Sequence, residues 1–465
     1  MCGRFDDARR DATMLLLARY VLPVSGPHIE DGGVVVHDGA IVAVGTREVL
    51  TAAYPADEIR DYGLAALMPG FIDLHTHFEY ASFRGVVNDL PYSRWKMQVM
   101  RLEELLTEQD WKDSAVLGAI ESVRSGITTV ADVTDSGTSV APASQAGLRG
   151  VIYREVSTMD KSQVRSVVDA ALEDIAAWQE QVDPSLLTIG IAPHSPYSCH
   201  PTLFKTVANE AGERGLPVAL HLAGSKDEYD FIKYGSSSLG QDYRAQSGWS
   251  KVVWLPTGVS PVQYIYQWGI LEVPNVLAVH CVHVDPLDVD TLARNDVAVA
   301  YCARCNLKLG MGIAPLHSFL EHGLRVGIGT DSPASNSTMD FFDEMRIGLL
   351  VQRGLAGEAT FYRAKQFVRM ATLEAARALK IDHLVGSLEP GKRADIIAVD
   401  LSRSHQVPTQ DPYGAIVHTS NQEDVVMTMV DGRMLYENGA FLTMDTGGLY
   451  DDVENARLKL KDGRA

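Results

Sequence analysis

The chain has 465 residues, 46% of them apolar, with 41 Lys and Arg against 60 Asp and Glu for a net charge of −19. At about 150 residues per domain that length fits three domains or one large α/β barrel with attachments. The charge argues against nucleic acid and against an anionic membrane surface as partners, because both attract cationic proteins.

The first residues, 1–12, are Asp- and Arg-rich (RFDDARRDA) and read as a disordered tail without the apolar core of a secretory signal. From 13 to 65, short β-like runs such as RYVLPV and GGVVVHDGAIVAVG are broken by Gly and Asp-Gly turns, the pattern of a small β unit. Eight apolar runs follow: LMPGFIDLH (67–75), ITTVADV (127–133), GVIYREV (150–156), LLTIGIAPH (186–194), PVALHLA (217–223), VLAVHCV (276–282), VAVAYCA (297–303) and RVGIGTD (325–331). Each precedes a segment of helical periodicity. Runs rich in Val, Ile and Leu with little alternation belong to strands buried on both faces, as in a parallel sheet covered by helices. Eight such repeats favour an α/β fold of the TIM-barrel type, (β/α)8, over 66–384.

The longest interruption, Ser225–Asn275, holds three of the six tryptophans and reads either as a lid over a site or as an oligomer contact. Alternation returns in VGSLEPGKRADIIAVD and DVVMTMVDGRMLYENG, so 385–445 is expected to pair with 13–65 in one β-sandwich built from both chain ends. The remainder, 446–465, reads as a terminal helix and tail. No apolar run reaches the roughly 18 residues of a membrane span. The five cysteines, Cys2, Cys199, Cys281, Cys302 and Cys305, are odd in number and scattered, which fits a reducing compartment. A cytoplasmic protein is expected.

Polar residues capable of chemistry sit where the runs end. Run one closes on His75 and His77, run five on His221, run six on His280 and run eight on Asp331. The strand ends of a barrel converge on one face, so these five residues are expected to meet there. Side chains two apart on a strand point the same way, which lets His75 and His77 bind one metal ion with His221 and Asp331. A metal in such a site lowers the pKa of water, and Asp331 can take the proton as general base. A single histidine at a strand end is more often structural; the five together favour a metal site. Runs three and four end in Arg154, Glu155 and His194 without a lysine, so one metal is expected and not two. His283 reads as a neighbour of the site or as exposed. Cys302 and Cys305 form a lone CxxC and read as small buried apolar residues, with Cys305 lining the pocket as the alternative.

PGFIDLHTH, APHSPYS, HLA, AHCVH, NLKLGMGIAP, GTDSPASN and GSLEPGKRADIIAVD, in this order, resemble the signatures of the amidohydrolase superfamily, in its branch of cyclic-amidine aminohydrolases and chlorohydrolases. Within that branch the chain is similar to S-adenosylhomocysteine/methylthioadenosine deaminases and aminodeoxyfutalosine deaminases. The resemblance implies one divalent ion, Zn(II) or in some members Fe(II), on His75, His77, His221 and Asp331. It implies that His280 hydrogen-bonds the attacking water or the tetrahedral centre, and that His194 and Arg154 contact substrate. The expected reaction is attack of hydroxide on the amino-bearing ring carbon of a heterocycle or nucleoside-like small molecule, with loss of ammonia, in a homo-oligomeric enzyme (dimer or tetramer).

Two positions depart from the branch. Its members read His-x-x-Glu after strand five, where the glutamate protonates a ring nitrogen; here the position is Gly224. Glu228 and Glu79 are the candidate replacements. An acidic residue that holds ribose hydroxyls is here Asn88, whose amide still donates and accepts. The glycine keeps open a hydrolase of a ring amide or a C–Cl bond, and a metal-binding relative without activity.

Overall fold

The computed structural model describes residues 12–463, so the tail expected over 1–12 lies, but for its last residue, outside the described residues. The N-terminal β unit supplies β1 (Met14–Val21), β2 (Ile29–His37), β3 (Ala40–Thr46), β4 (Glu58–Asp61) and β5 (Ala65–Pro69). All eight apolar runs then contain a strand: β6 (Phe71–Thr76), β7 (Ile127–Thr134), β8 (Arg149–Val156), β9 (Leu187–Pro193), β10 (Val218–Leu222), β11 (Val276–His280), β12 (Ala298–Tyr301) and β13 (Arg325–Ile328). These eight pair in parallel and in chain order, β6 through β13. The ring closes at the site end, where Thr76 bridges Asp331 and the Asp331 amide donates to the His75 carbonyl at 2.7 Å.

Inside the barrel, Ile72, Leu74, Val133, Tyr153, Ala192, Ala219, Val279 and Ala300 share one cluster. The alternate positions Ile152, Ile191, Leu220, Ala278 and Val299 pack outward in a second cluster with the surrounding helices. That two-residue alternation, hidden in runs that are apolar throughout, is what a strand with both faces covered requires.

Strands from both chain ends meet in one sheet, where a sandwich was expected. The strands β14 (Ile396–Asp400), β15 (Val425–Val430), β16 (Arg433–Glu437) and β17 (Ala440–Phe441) join β1–β5 in one nine-stranded sheet, with β14 antiparallel to β5 at the seam. Leu16, Val34, Leu67, Ile396 and Met427 share its apolar core. Run one divides at Gly70: Ala65–Pro69 belongs to this sheet and Phe71–Thr76 to the barrel. A Cβ at Gly70 would stand 2.1 Å from Thr128, so only glycine lets the chain pass from one sheet to the other there.

Beneath the barrel, the buried Arg149 at the start of β8 donates to Asp395 at 2.7 and 3.2 Å and reaches Asp431 at 3.5 Å, while the Asp431 amide donates to Asp395 at 2.8 Å. The C-terminal segment is a helix, Leu449–Asp462, anchored by Lys459 on Asp110. No helix among the described residues is long and apolar enough to cross a membrane.

Candidate active site

His75, His77 and His221 bring one ligand atom each to within 4.8 Å of one another, and His280, Cys305 and Asp331 form a second such group beside them. The ring centroids of His75 lie 4.7 Å from His77, 4.9 Å from His221 and 6.0 Å from His280. Asp331 Oδ1 is 3.7 Å from His75 Nε2, and Oδ2 is 3.9 Å from His280 Nε2 and 2.8 Å from Cys305 Sγ. Four strand ends thus place the five expected residues around one point.

Backbone geometry contributes to this convergence. Parity places Leu277 and Val279 inside the barrel and would turn residue 280 outward. His280 and Cys281 instead adopt left-handed φ of 73° and 47°, and His280 lines the cavity. Asp331 (φ 65°) and Ala223 (φ 50°) are left-handed as well. Such conformations in non-glycine residues cost about 1–3 kcal/mol each and collect at functional sites.

The donor set fits a divalent ion on its chemistry. Both ring nitrogens of the fully buried His75 lack a hydrogen-bond partner among the described residues, a costly arrangement unless a ligand takes a lone pair. His221 donates Nδ1–H to the His194 carbonyl at 2.9 Å, which leaves Nε2 as a bare lone pair turned toward the group. Burial keeps the imidazoles neutral: it lowers His75 well below the usual value, His77 to about 4 and His221 to about 3. Burial opposes ionisation of Asp331, but His280, His77 and the Cys305 thiol hold its carboxyl below the ordinary range. Three neutral imidazoles and one carboxylate are the ligand types of a catalytic zinc site.

His77, His221, His280, Cys305 and Asp331 line a cavity together with His194, Glu79, Asp135, Glu155, Lys96, Ser332 and Ser335, and with the apolar surfaces of Tyr92, Trp95 and Met311. His194 is held by Ser198 Oγ at 2.7 Å from Nδ1 and stacks on Tyr243 at 6.4 Å, a residue of the 225–275 insertion. Through Tyr243 the insertion backs His194 without lining the cavity, and it exposes Val253 and Leu255. Of the CxxC, Cys302 is buried and Cys305 lines the cavity. His283 donates Nε2–H to the Met311 carbonyl at 2.8 Å and stays outside the lining.

Three expected substrate contacts lie elsewhere. Arg154 points away from the cavity, with Nε on Asp174 at 2.9 Å and Nη1 on Asp135 at 2.7 Å, because it alternates with the inward Tyr153 and Glu155. Asn88 is exposed and donates to the Gly85 carbonyl at 3.0 Å. Glu228 is buried but turned into the chain, accepting from the amides of Ala223 at 2.9 Å and Gly224 at 3.0 Å; it fixes the turn that follows His221. Glu79 does line the cavity, and it is saturated by the hydroxyls of Thr134, Ser136 and Thr138 and the Asp135 amide. Sequence reasoning gave no role to Glu155, which faces the cavity with its carboxylate within 4.8 Å of the ligand atoms of His194 and His221. Burial pushes its carboxyl up to about 8, against the pull of Lys96. The two-residue repeat of a strand groups Glu155 with Tyr153 and Arg154 with Ile152, but does not say which pair faces inward.

A family model described as "Amidohydrolase family" matches residues 66–435. The chain belongs to that family. A second model, an imidazolonepropionase-like composite domain of bacteria, matches residues 32–56, within the nine-stranded sheet. The amidohydrolase is 32% identical to the 5-methylthioadenosine/S-adenosylhomocysteine deaminase of Moorella thermoacetica over 93% of this chain and 96% of that one. It is 34% identical to the enzyme of the same name from Symbiobacterium thermophilum, over 90% and 92%. Among solved structures, a zinc-bound adenosine deaminase from Xanthomonas campestris superimposes with a TM-score of 0.85 at 26% identity, covering 97% of this chain and 98% of that chain. The amidohydrolase is thus a metal-dependent hydrolase of C–N bonds in cyclic amidines, a deaminase.

Proposed function

We propose that the enzyme deaminates an adenine-type nucleoside, on one divalent ion, zinc, held by His75, His77, His221 and Asp331. The observation that carries this reading is the pair of orphaned nitrogens on buried His75, set among three further imidazoles and Asp331 at the floor of the cavity. The names of the relatives support the nucleoside class. When bound, the ion supplies Lewis acidity that lowers the pKa of water and so provides a nucleophile at neutral pH. Asp331 accepts the proton that water loses and carries it to the departing amino group. His280, adjacent to Asp331, hydrogen-bonds the oxygen that develops on the attacked carbon. His194 faces the ring, and Tyr92, Trp95 and Met311 exclude water from it.

The lining bears on the 5′ end of the substrate. Glu79 and Asp135 face one lysine, Lys96, since Arg154 is turned away, while the Glu155 carboxyl, pushed by burial up to about 8, is neutral at pH 7. An uncharged 5′ substituent fits this wall, and so does one that carries an ammonium beside its carboxylate. Adenosine, 5′-methylthioadenosine and S-adenosylhomocysteine are therefore all expected substrates. The proposal extends to a cytoplasmic homo-oligomer, with the exposed Val253 and Leu255 of the insertion available to a second copy.

The test is ammonia release from these three nucleosides by zinc-loaded protein, with metal content measured on the same samples. Release that requires zinc and His75 bears the reading out; release undiminished in His75→Ala overturns it. A second reading, hydrolysis of a ring amide or C–Cl bond, is favoured by Gly224, which has no carboxyl to protonate a ring nitrogen. Silence on the nucleosides with turnover of a cyclic ureide or a chlorotriazine would select it.

A further inference from the structure

Removing an exocyclic amino group from a cyclic amidine needs a second proton-handling group besides the base that deprotonates water. The ring nitrogen must take a proton as oxygen bonds to carbon, or the electron pair of the C=N bond has nowhere to settle. The group must face the cavity, stand beside the metal ligands and be free of fixed partners.

Four carboxyls line the cavity: Glu79, Asp135, Glu155 and Asp331. Glu79 accepts hydrogen bonds from three hydroxyls and an amide. Asp135 is paired with Arg154 at 2.7 Å. Asp331 belongs to the ligand set and to the water. Glu228 is turned out of the lining by the two amides it accepts from. Glu155 alone carries no side-chain hydrogen bond among the described residues, and it sits at the end of β8 with its carboxylate within 4.8 Å of His194 and His221.

The position left by Gly224 is crowded for a side chain. A Cβ there would meet Met311 Cε at 3.0 Å and His280 Cδ2 at 3.2 Å, so the Met311 thioether fills the direction in which a side chain would extend. Cavity space on the other flank of His221 is instead faced by Glu155.

We propose that Glu155 is a catalytic residue that hands a proton to the ring nitrogen of the substrate and recovers one from the new hydroxyl. This rests on the deaminase reading above. Oxygen of water bonds to the amino-bearing carbon, and one water proton passes to Asp331. The C=N pair moves to the ring nitrogen, which takes the Glu155 proton. The C–NH2 bond then breaks; the amino group leaves as ammonia with the proton held by Asp331. The hydroxyl proton returns to Glu155 as the carbonyl forms. Amidine and water give lactam and ammonia, and both carboxyls are restored.

The test compares wild type with Glu155→Gln and Glu155→Asp, all zinc-loaded, on the best nucleoside substrate. Glu155→Gln keeps the shape and loses the proton; kcat is expected to fall by about 10²–10⁴-fold, the usual worth of a positioned acid, with KM changed far less. Glu155→Asp is expected to recover part of kcat. Zinc stoichiometry and melting temperature should match wild type in both variants. A Glu155→Gln enzyme within a few-fold of wild-type kcat overturns the proposal while leaving the deaminase reading intact. Loss of zinc from Glu155→Gln also overturns it, by making Glu155 a ligand. A wild type silent on every nucleoside overturns the deaminase reading and this step with it. Should the glutamine variant not fold, a folded Glu155→Asp with unaltered kcat overturns it as well.

Discussion

Strand β8 begins at one buried charge cluster and ends at another, and the two differ in how completely they are satisfied. Arg149, at its start, has Asp395 and Asp431 within hydrogen-bond reach, and Asp395 is further bonded by the Asp431 amide. At the far end, both nitrogens of buried His75 lack a partner among the described residues, and Glu155 turns its carboxylate to the cavity. A buried polar group that is fully paired contributes to the fold; one left unpaired costs stability unless something binds to it. The floor of the barrel is thus closed on itself, and the mouth is built for a ligand that the chain does not contain.

The sharpest way to break the contrast is His75→Ala. Turnover is expected to fall to the background rate and zinc content to drop, because the ring gives its lone pair to nothing else. In zinc-free protein the same substitution breaks no side-chain hydrogen bond, so the melting temperature should fall only by the cost of the space the ring vacates. A large destabilisation without metal would assign His75 to the fold and not to the ligand.

Arg149→Ala should do the reverse. It strands Asp395, only 4% exposed, without its cation, and breaking a buried pair costs about 3–5 kcal/mol. Denaturant unfolding should show that loss, while kcat and zinc content per folded molecule stay at wild-type values. If activity falls as steeply as stability, the two ends of β8 are coupled and the division between them fails.

The eight strands and the metal-facing residues were legible in the sequence because both follow from position: buried parallel strands are continuous apolar runs, and their polar ends converge. What was not legible follows from direction. Arg154 and Glu155 are neighbours on β8, so one must face the cavity and the other the helix that carries Asp174. Nothing in GVIYREV says which, and the resemblance pointed to the arginine. Glu228 was legible as a carboxylate near the site, but not as one consumed by the amides of Ala223 and Gly224. Gly70 hid a boundary inside one apolar run, because two sheets meet there without any polar residue between them.

Cys305 tests how far the unsatisfied region extends. Its thiol donates to Asp331 Oδ2 at 2.8 Å, orienting a carboxylate whose other oxygen faces His75. Groups that orient metal ligands in this way are worth about 10–100-fold in affinity or activity. Cys305→Ala is expected to weaken zinc binding within that range, measured by competition with a chelator, and Cys305→Ser, which keeps a donor, to weaken it less. Equal losses would reduce Cys305 to a packing residue.

The smallest effect is expected at Gly224. A methyl there would stand 3.0 Å from Met311 Cε and 3.2 Å from His280 Cδ2. Met311 Cε is the free end of a flexible side chain and can retreat; the His280 ring has less freedom, because its left-handed backbone already fixes its direction. Overpacking of this kind costs about 1–3 kcal/mol. Gly224→Ala should therefore slow turnover several-fold through a displaced His280, and Met311→Ala in the same chain should restore it by vacating the space. Gly224→Glu should not accelerate the enzyme, because its carboxyl must pass the same two atoms while Glu155 already stands on the open flank. A strong acceleration by Gly224→Glu would show that the mouth of the barrel still lacks its acid, and that the unpaired Glu155 belongs to substrate binding alone.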